Sequence, residues 1–134
     1  MRMVLLLATV FLCGGFAMTF ADRASARAGE KSSQVLRHIV LYKFKDDATP
    51  AQVQEVVATF AALPKKIDGI VGFEHGTNVS PEGKSDGLTH VFVVSFVDEK
   101  ARDAYLVHPA HQAYVNVVKD RREKVVVFDY WADR

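Results

Sequence analysis

One cysteine, four prolines and one tryptophan stand in a chain of 134 residues. The cysteine, Cys13, lies in an apolar leader. Beyond it there is no thiol, which excludes disulfide cross-links, cysteine nucleophiles, Cys-ligated zinc and Cys-held iron–sulfur clusters from the rest of the chain. An excess of charge of one sign is also missing. Seventeen Lys and Arg against sixteen Asp and Glu leave a formal +1, and Lys65-Lys66 and Arg121-Arg122 are short and isolated. Neither nucleic acid nor an anionic surface is an expected partner. There is no Gly-x-Gly-x-x-Gly, no phosphate loop and no nucleophile elbow of a serine hydrolase, so no cofactor is implied. What is abundant is apolar: 49% of residues are hydrophobic against 25% charged, the balance of a folded domain of ordinary size.

Met1-Arg2 precedes an almost uninterrupted apolar run from Met3 to Phe20, and the next charges are Asp22 and Arg23. A basic start, an apolar stretch and small residues beyond it are what a secretory signal peptide needs to enter the translocon and be cut. The expected cut follows Thr19-Phe20-Ala21, with later sites at Ala24-Ser25-Ala26 and Ala26-Arg27-Ala28. The alternative is a retained membrane anchor, since the run just reaches the length of a crossing helix. Phe11 and Leu12 before Cys13 are too bulky for a lipid-attachment signal. The expected organisation is a signal peptide over 1–21, extending as far as 28 with the latest cut, a flexible leader over 22–34, and one domain over 35–134. That domain is expected to be exported, to the periplasm or the extracellular space.

Within it, Val35 to Phe44 alternates with period two, placing His38, Val40, Tyr42 and Phe44 on one face and Ile39 and Leu41 on the other. Thr49-Pro50-Ala51-Gln52 supplies an N-cap, a proline at the first helical position and a capping-box glutamine. Val53, Val56, Val57, Phe60 and Ala61 then form one apolar helical stripe, limited by Pro64. Ile70 to Val79 reads as a weaker strand in which Gly72 and Gly76 mark a bulge or a close backbone approach. Ser80 to Gly87 is a run of turn-formers, and Thr89 to Val97 is the clearest strand, with His90, Phe92, Val94 and Phe96 on one face. Asp98 is placed to cap a second helix. Its register breaks at His108-Pro109, and it restarts with the stripe Ala110, Ala113, Tyr114, Val117, Val118. Lys119 to Lys124 reads as its solvated, mixed-charge end, and Val125 to Tyr130 as the last strand.

The order β-α-β-β-α-β predicts an α+β, ferredoxin-like split βαβ unit: a four-stranded antiparallel sheet with two helices on one face. Such a sheet normally turns a polar face to water. Here Ile39, Leu41, Val91, Val93 and Val97 make the far face apolar as well. A face of this kind invites aggregation unless it is covered, so the expectation is a homodimer in which a second copy packs on it and a barrel-like centre results.

Arg37-His38-Ile39-Val40-Leu41-Tyr42-Lys43-Phe44-Lys45, Ile67-Asp68-Gly69-Ile70, Tyr105 with His108-Pro109-Ala110-His111-Gln112, and Phe128-Asp129-Tyr130 resemble the stress-responsive A/B barrel (Dabb) family, in the family's order, from Leu36 to Trp131. The resemblance implies a ferredoxin-like subunit that dimerises into an α+β barrel. For activity it implies less: many members have no assigned reaction, others are stress-induced stable proteins, and a plant branch acts as polyketide cyclases.

Five histidines, His38, His75, His90, His108 and His111, are the residues suited to proton transfer near neutral pH. The expected pocket lies between the sheet and the helices and is lined by His38, Val40, Tyr42, Val57, Phe60, Phe92, Val94 and Tyr114. By resemblance to the cyclase branch, Tyr105 and His111 are its catalytic pair: His111 takes a proton α to a carbonyl and the Tyr105 hydroxyl stabilises the enolate. At Phe60 that branch carries a tyrosine, so one hydroxyl is absent here. The bland reading is that His108 caps the helix starting at Pro109 and His111 bonds Tyr105 or a backbone carbonyl. His108 and His111 lack a fixed third ligand, so no metal is assigned. Three functions follow in order: a homodimer binding a small apolar or aromatic molecule with no assigned reaction, a cofactor-free cyclase-type enzyme, and a quinol-type monooxygenase.

Overall fold

A computed structural model describes residues 34–134; the expected signal peptide and nearly all of the leader lie outside the described residues. The elements run β1 (Gln34–Phe44), α1 (Pro50–Ala61), a single 3-10 turn (Leu63–Lys65), β2 (Ile70–Thr77), β3 (His90–Phe96), α2 (Glu99–Val107), α3 (Pro109–Val118) and β4 (Arg122–Asp133). The strands form one antiparallel sheet in the order β2-β3-β1-β4. This is the ferredoxin-like α+β arrangement expected, with the second helix divided in two.

The caps explain where the helices begin. Gln52 N–H donates to Thr49 Oγ1 at 3.3 Å while Thr49 N–H donates to Gln52 Oε1 at 2.9 Å, closing the capping box. Ala101 N–H donates to Asp98 Oδ1 at 2.8 Å at the start of α2. At His108 the backbone turns extended (φ −66°, ψ 136°), because Pro109 disfavours a helical residue before it, and Ala110 N–H donates to His108 Nδ1 at 3.1 Å. The capping role foreseen for His108 is the one it has.

Period-two alternation carries Leu36, Val40, Tyr42 and Phe44 from β1, and Phe92, Val94 and Phe96 from β3, to the face under the helices. There they meet Val56 and Phe60 of α1, Tyr105 of α2, and Tyr114 and Val118 of α3. The Phe60 ring lies 4.6 Å from that of Phe92 and 4.3 Å from that of Tyr114. Each such side chain, removed wholly from water, contributes roughly 1.5–3 kcal/mol. Two of the three phenols in this core satisfy each other, the Tyr42 and Tyr114 hydroxyls lying 2.8 Å apart.

Three local expectations are corrected. β4 begins at Arg122 rather than Val125, so Arg122-Glu123-Lys124 belongs to a strand and not to a helix end. Their charges have partners: Lys43 Nζ donates to Glu123 at 2.8 Å, and Lys124 pairs with Asp86. β2 stops at Thr77, short of Val79, because the Asn78 side chain turns the chain by accepting from Ser80 N–H at 2.9 Å. Gly72 does sit at a register shift, where a Cβ would come within 3.0 Å of Ser95 Oγ, but Gly76 faces open space and needs no glycine. The run Gly83-Lys84-Ser85-Asp86-Gly87 spells Gly-x-Ser-x-Gly, yet it lies in the β2–β3 turn, not between a strand and a helix, so it is no nucleophile elbow.

Among the described residues nothing layers the other sheet face. Ile39, Leu41, Val91 and Val93 are only half-buried, and Val126, Phe128 (62% exposed) and Tyr130 on β4 are open. Arg37 brings a polar cluster to this face, donating to Ser95 Oγ at 2.6 Å and to Glu74 at 3.1 Å.

Candidate functional site

Three residues singled out in the sequence meet on the helix side of the sheet. Tyr105, on the inner face of α2, has its ring centroid 5.8 Å from His38 of β1 and 4.1 Å from His111 of α3. The break at His108 is what allows this. It sets α3 off α2 so that His111, six residues after Tyr105, returns to the phenol. His111 Nδ1 donates to the Leu106 carbonyl at 3.2 Å, which leaves Nε2 as the ring's acceptor. Desolvation lowers its pKa below the ordinary histidine value, opposed by the Leu106 carbonyl and reinforced by His38 and His108, so the ring is neutral at neutral pH. Burial raises the pKa of Tyr105 well above that of a free phenol, and its neighbour Tyr42 adds to the effect. The hydroxyl therefore stays a donor, and among the described residues nothing hydrogen-bonds it. A neutral base beside an uncommitted phenol is an arrangement able to accept a proton and stabilise an oxyanion.

His38 is fixed more firmly than the sequence alone indicates. Its Nδ1 lies 2.7 Å from Asp129 Oδ1, and Arg102 of α2 pairs with the other oxygen of that carboxylate. Neither Asp129 nor Arg102 was among the residues singled out for chemistry. The signal was present: Asp129 interrupts the apolar helix-side row Val125, Val127 on β4, and Arg102 sits one helical turn before Tyr105. The Phe96 and Tyr105 rings stand edge-on beside His38, their centroids 6.2 and 5.8 Å from its own.

Of the expected lining, Val40, Tyr42, Phe60, Phe92, Val94 and Tyr114 are buried against one another in the core. Val57 instead helps to line an open cleft of about 500 Å³ between α1 and the β2–β3 strands, together with Pro50, Val53, Gln54, His75 and His90. His75 and His90 are diagonal neighbours across the two strands. Desolvation lowers the pKa of His90, and His75 lowers it further. The cleft thus sets apolar walls beside the His90 imidazole, which burial holds neutral at neutral pH.

The sequence model of the stress responsive A/B barrel domain matches residues 36–132. A stress-response A/B barrel domain-containing protein, HS1, of Arabidopsis thaliana is 32% identical over 75% of this chain and 93% of its own length. Olivetolic acid cyclase of Cannabis sativa is 33% identical over 71% of this chain and 94% of its own. A solved dimeric ferredoxin-like protein of unknown function from Jannaschia superposes with a TM-score of 0.63 at 30% identity, covering 72% of this chain and 97% of that one. The family match spans nearly the whole described domain, the HS1 and ferredoxin-like relatives agree with it, and the chain belongs to the stress-responsive A/B barrel family.

Proposed function

We propose that this protein is an exported homodimer that binds a small apolar or aromatic molecule on the helix side of its sheet. The cleft beneath α1 carries the binding half of that reading: its volume of about 500 Å³ suits a small molecule, and Pro50, Val53 and Val57 offer apolar walls with Gln54, His75, Thr77 and His90 as the polar groups. The far face of the sheet, apolar from Ile39 to Phe128 and covered by none of the described residues, supports self-association, as does the dimeric Jannaschia relative. The apolar run from Met3 to Phe20 supports export. Native mass spectrometry of the purified protein tests the whole reading at once. A dimer carrying a copurified small molecule, displaced when Val57→Arg fills the cleft, is the expected result; a bare monomer sinks it.

A second reading has its own observation, the unpartnered Tyr105 hydroxyl beside neutral His111. In it the protein is a cofactor-free ring-closing enzyme of the kind the Cannabis sativa relative's name describes. His111 Nε2 removes a proton α to a carbonyl and the Tyr105 hydroxyl donates to the enolate oxygen. Loss of turnover of a poly-β-keto thioester in both Tyr105→Phe and His111→Ala, with folding intact, is the expected outcome. Equal behaviour of wild type and variants returns the protein to binding alone.

A further inference from the structure

The Tyr105–His111 pair leaves one nearby group unexplained: a buried histidine clamped to a carboxylate that is itself clamped to an arginine. We propose that Arg102 is a positioning residue that acts through Asp129 to hold His38 as its Nδ1–H tautomer, presenting Nε2 as a second proton acceptor beside Tyr105. The inference rests on the second reading above, chemistry at Tyr105 and His111.

The chain of contacts fixes each proton in turn. Arg102 donates to Asp129 Oδ2 and, through Nε, to Asp103 Oδ1 at 2.7 Å, so the guanidinium is held from two sides. A carboxylate paired with arginine is ionised and has only acceptor capacity. Its Oδ1, 2.7 Å from His38 Nδ1, therefore takes a hydrogen bond that only a protonated Nδ1 can donate. In the neutral ring the lone pair then lies on Nε2. No described residue hydrogen-bonds that nitrogen, and the Tyr105 ring stands edge-on to the imidazole.

The backbone alone does not settle this. His38 and Asp129 are direct partners in the β1–β4 ladder, which brings the two side chains together but leaves the carboxylate free to rotate. Arg102 removes that freedom. Because it lies one turn before Tyr105 on α2, the same helix aims the phenol and locks the carboxylate. As a stabilising ion pair the contact adds little, since both partners are partly exposed, at 22% and 25%. Its effect is on orientation.

Histidine ring nitrogens in the 15N-labelled protein report the tautomer directly by long-range proton–nitrogen NMR. In wild type, His38 is expected to show a protonated Nδ1 and a bare Nε2. Arg102→Leu should lose that single-tautomer signature, and Arg102→Lys should restore it. Asp129→Asn, nearly identical in shape, should invert it: Arg102 still takes the side-chain oxygen, the amide NH2 faces Nδ1, and the proton moves to Nε2. The double variant Arg102→Leu/Asp129→Asn should show no preference. Wild type with Nε2 protonated, or Arg102→Leu indistinguishable from wild type, overturns the proposal. Asp129→Asn keeps it testable should Arg102→Leu fail to fold. None of these readouts needs ligand or turnover, so an inactive protein with the expected tautomers would refute the enzymatic reading while upholding the hold of Arg102 and Asp129 on His38.

Discussion

Gly69 adopts φ +87° between the 3-10 turn and β2, a backbone state that side-chain-bearing residues reach only with strain, and a Cβ there would stand 2.6 Å from Ala101 Cβ at the start of α2. Substitution Gly69→Ala meets both obstacles: about 1–3 kcal/mol for the overlap and roughly 1–2 kcal/mol for the left-handed backbone. A denaturation midpoint lowered by that combined amount, with the slope unchanged, checks it. The histidines give a pH prediction of definite sign. Burial depresses the pKa of both His90 and His111 below the unfolded value of 6.5. As pH falls through 6.5 the unfolded chain takes up protons that the folded one resists, so the stability present above that value declines and levels off below the folded pKa values. Urea midpoints measured from pH 8 to pH 5 should fall, and His90→Gln should flatten part of the slope. At the other end, burial raises the pKa of Tyr42, Tyr105 and Tyr114, so their contribution is complete below pH 10 and fades above it.

At the scale of elements, most of the architecture was legible because it rests on short-range rules. Thr49 to Gln52 spells a capping box, His108-Pro109 spells a break, and the alternation in β1 and β3 names the residues that reach the core. Phe92→Ala, which removes the ring between Phe60 and Tyr42, should cost about 3–5 kcal/mol, measurable by thermal or chemical melting. His108→Ala, which removes the acceptor for Ala110 N–H, should cost about 0.5–2 kcal/mol. What escaped the sequence depends on partners far along the chain. Arg122 to Lys124 look like a solvated helix end until Lys43 and Asp86 are brought beside them, and only then does the charge belong to a strand. The Arg102–Asp129–His38 chain was hidden for the same reason: its members come from three elements, and no local spacing announces which carboxylate the β1–β4 register sets opposite His38. Tyr105 and His111, six residues apart, were within reach of a motif.

At the largest scale the decisive surface is the sheet face that no described residue covers. If a second copy covers it, charge placed at its centre should separate the copies. Phe128→Glu, at a position 62% exposed in the single subunit, is expected to convert the dimer to a monomer in sedimentation while leaving the helix-side core, and so the far-ultraviolet dichroism, intact. A variant that stays dimeric would move the interface elsewhere.

The strand order has a temporal side. β1 is made first, yet one of its two ladders is with β4, made last, and His38 meets Asp129 across 91 positions of chain. No nascent chain can finish this sheet before its closing residues leave the ribosome, because long-range strand pairing must wait for both partners. Were the chain exported as proposed, a sheet still open for the duration of its own synthesis would leave the polypeptide in a state that a narrow channel can thread.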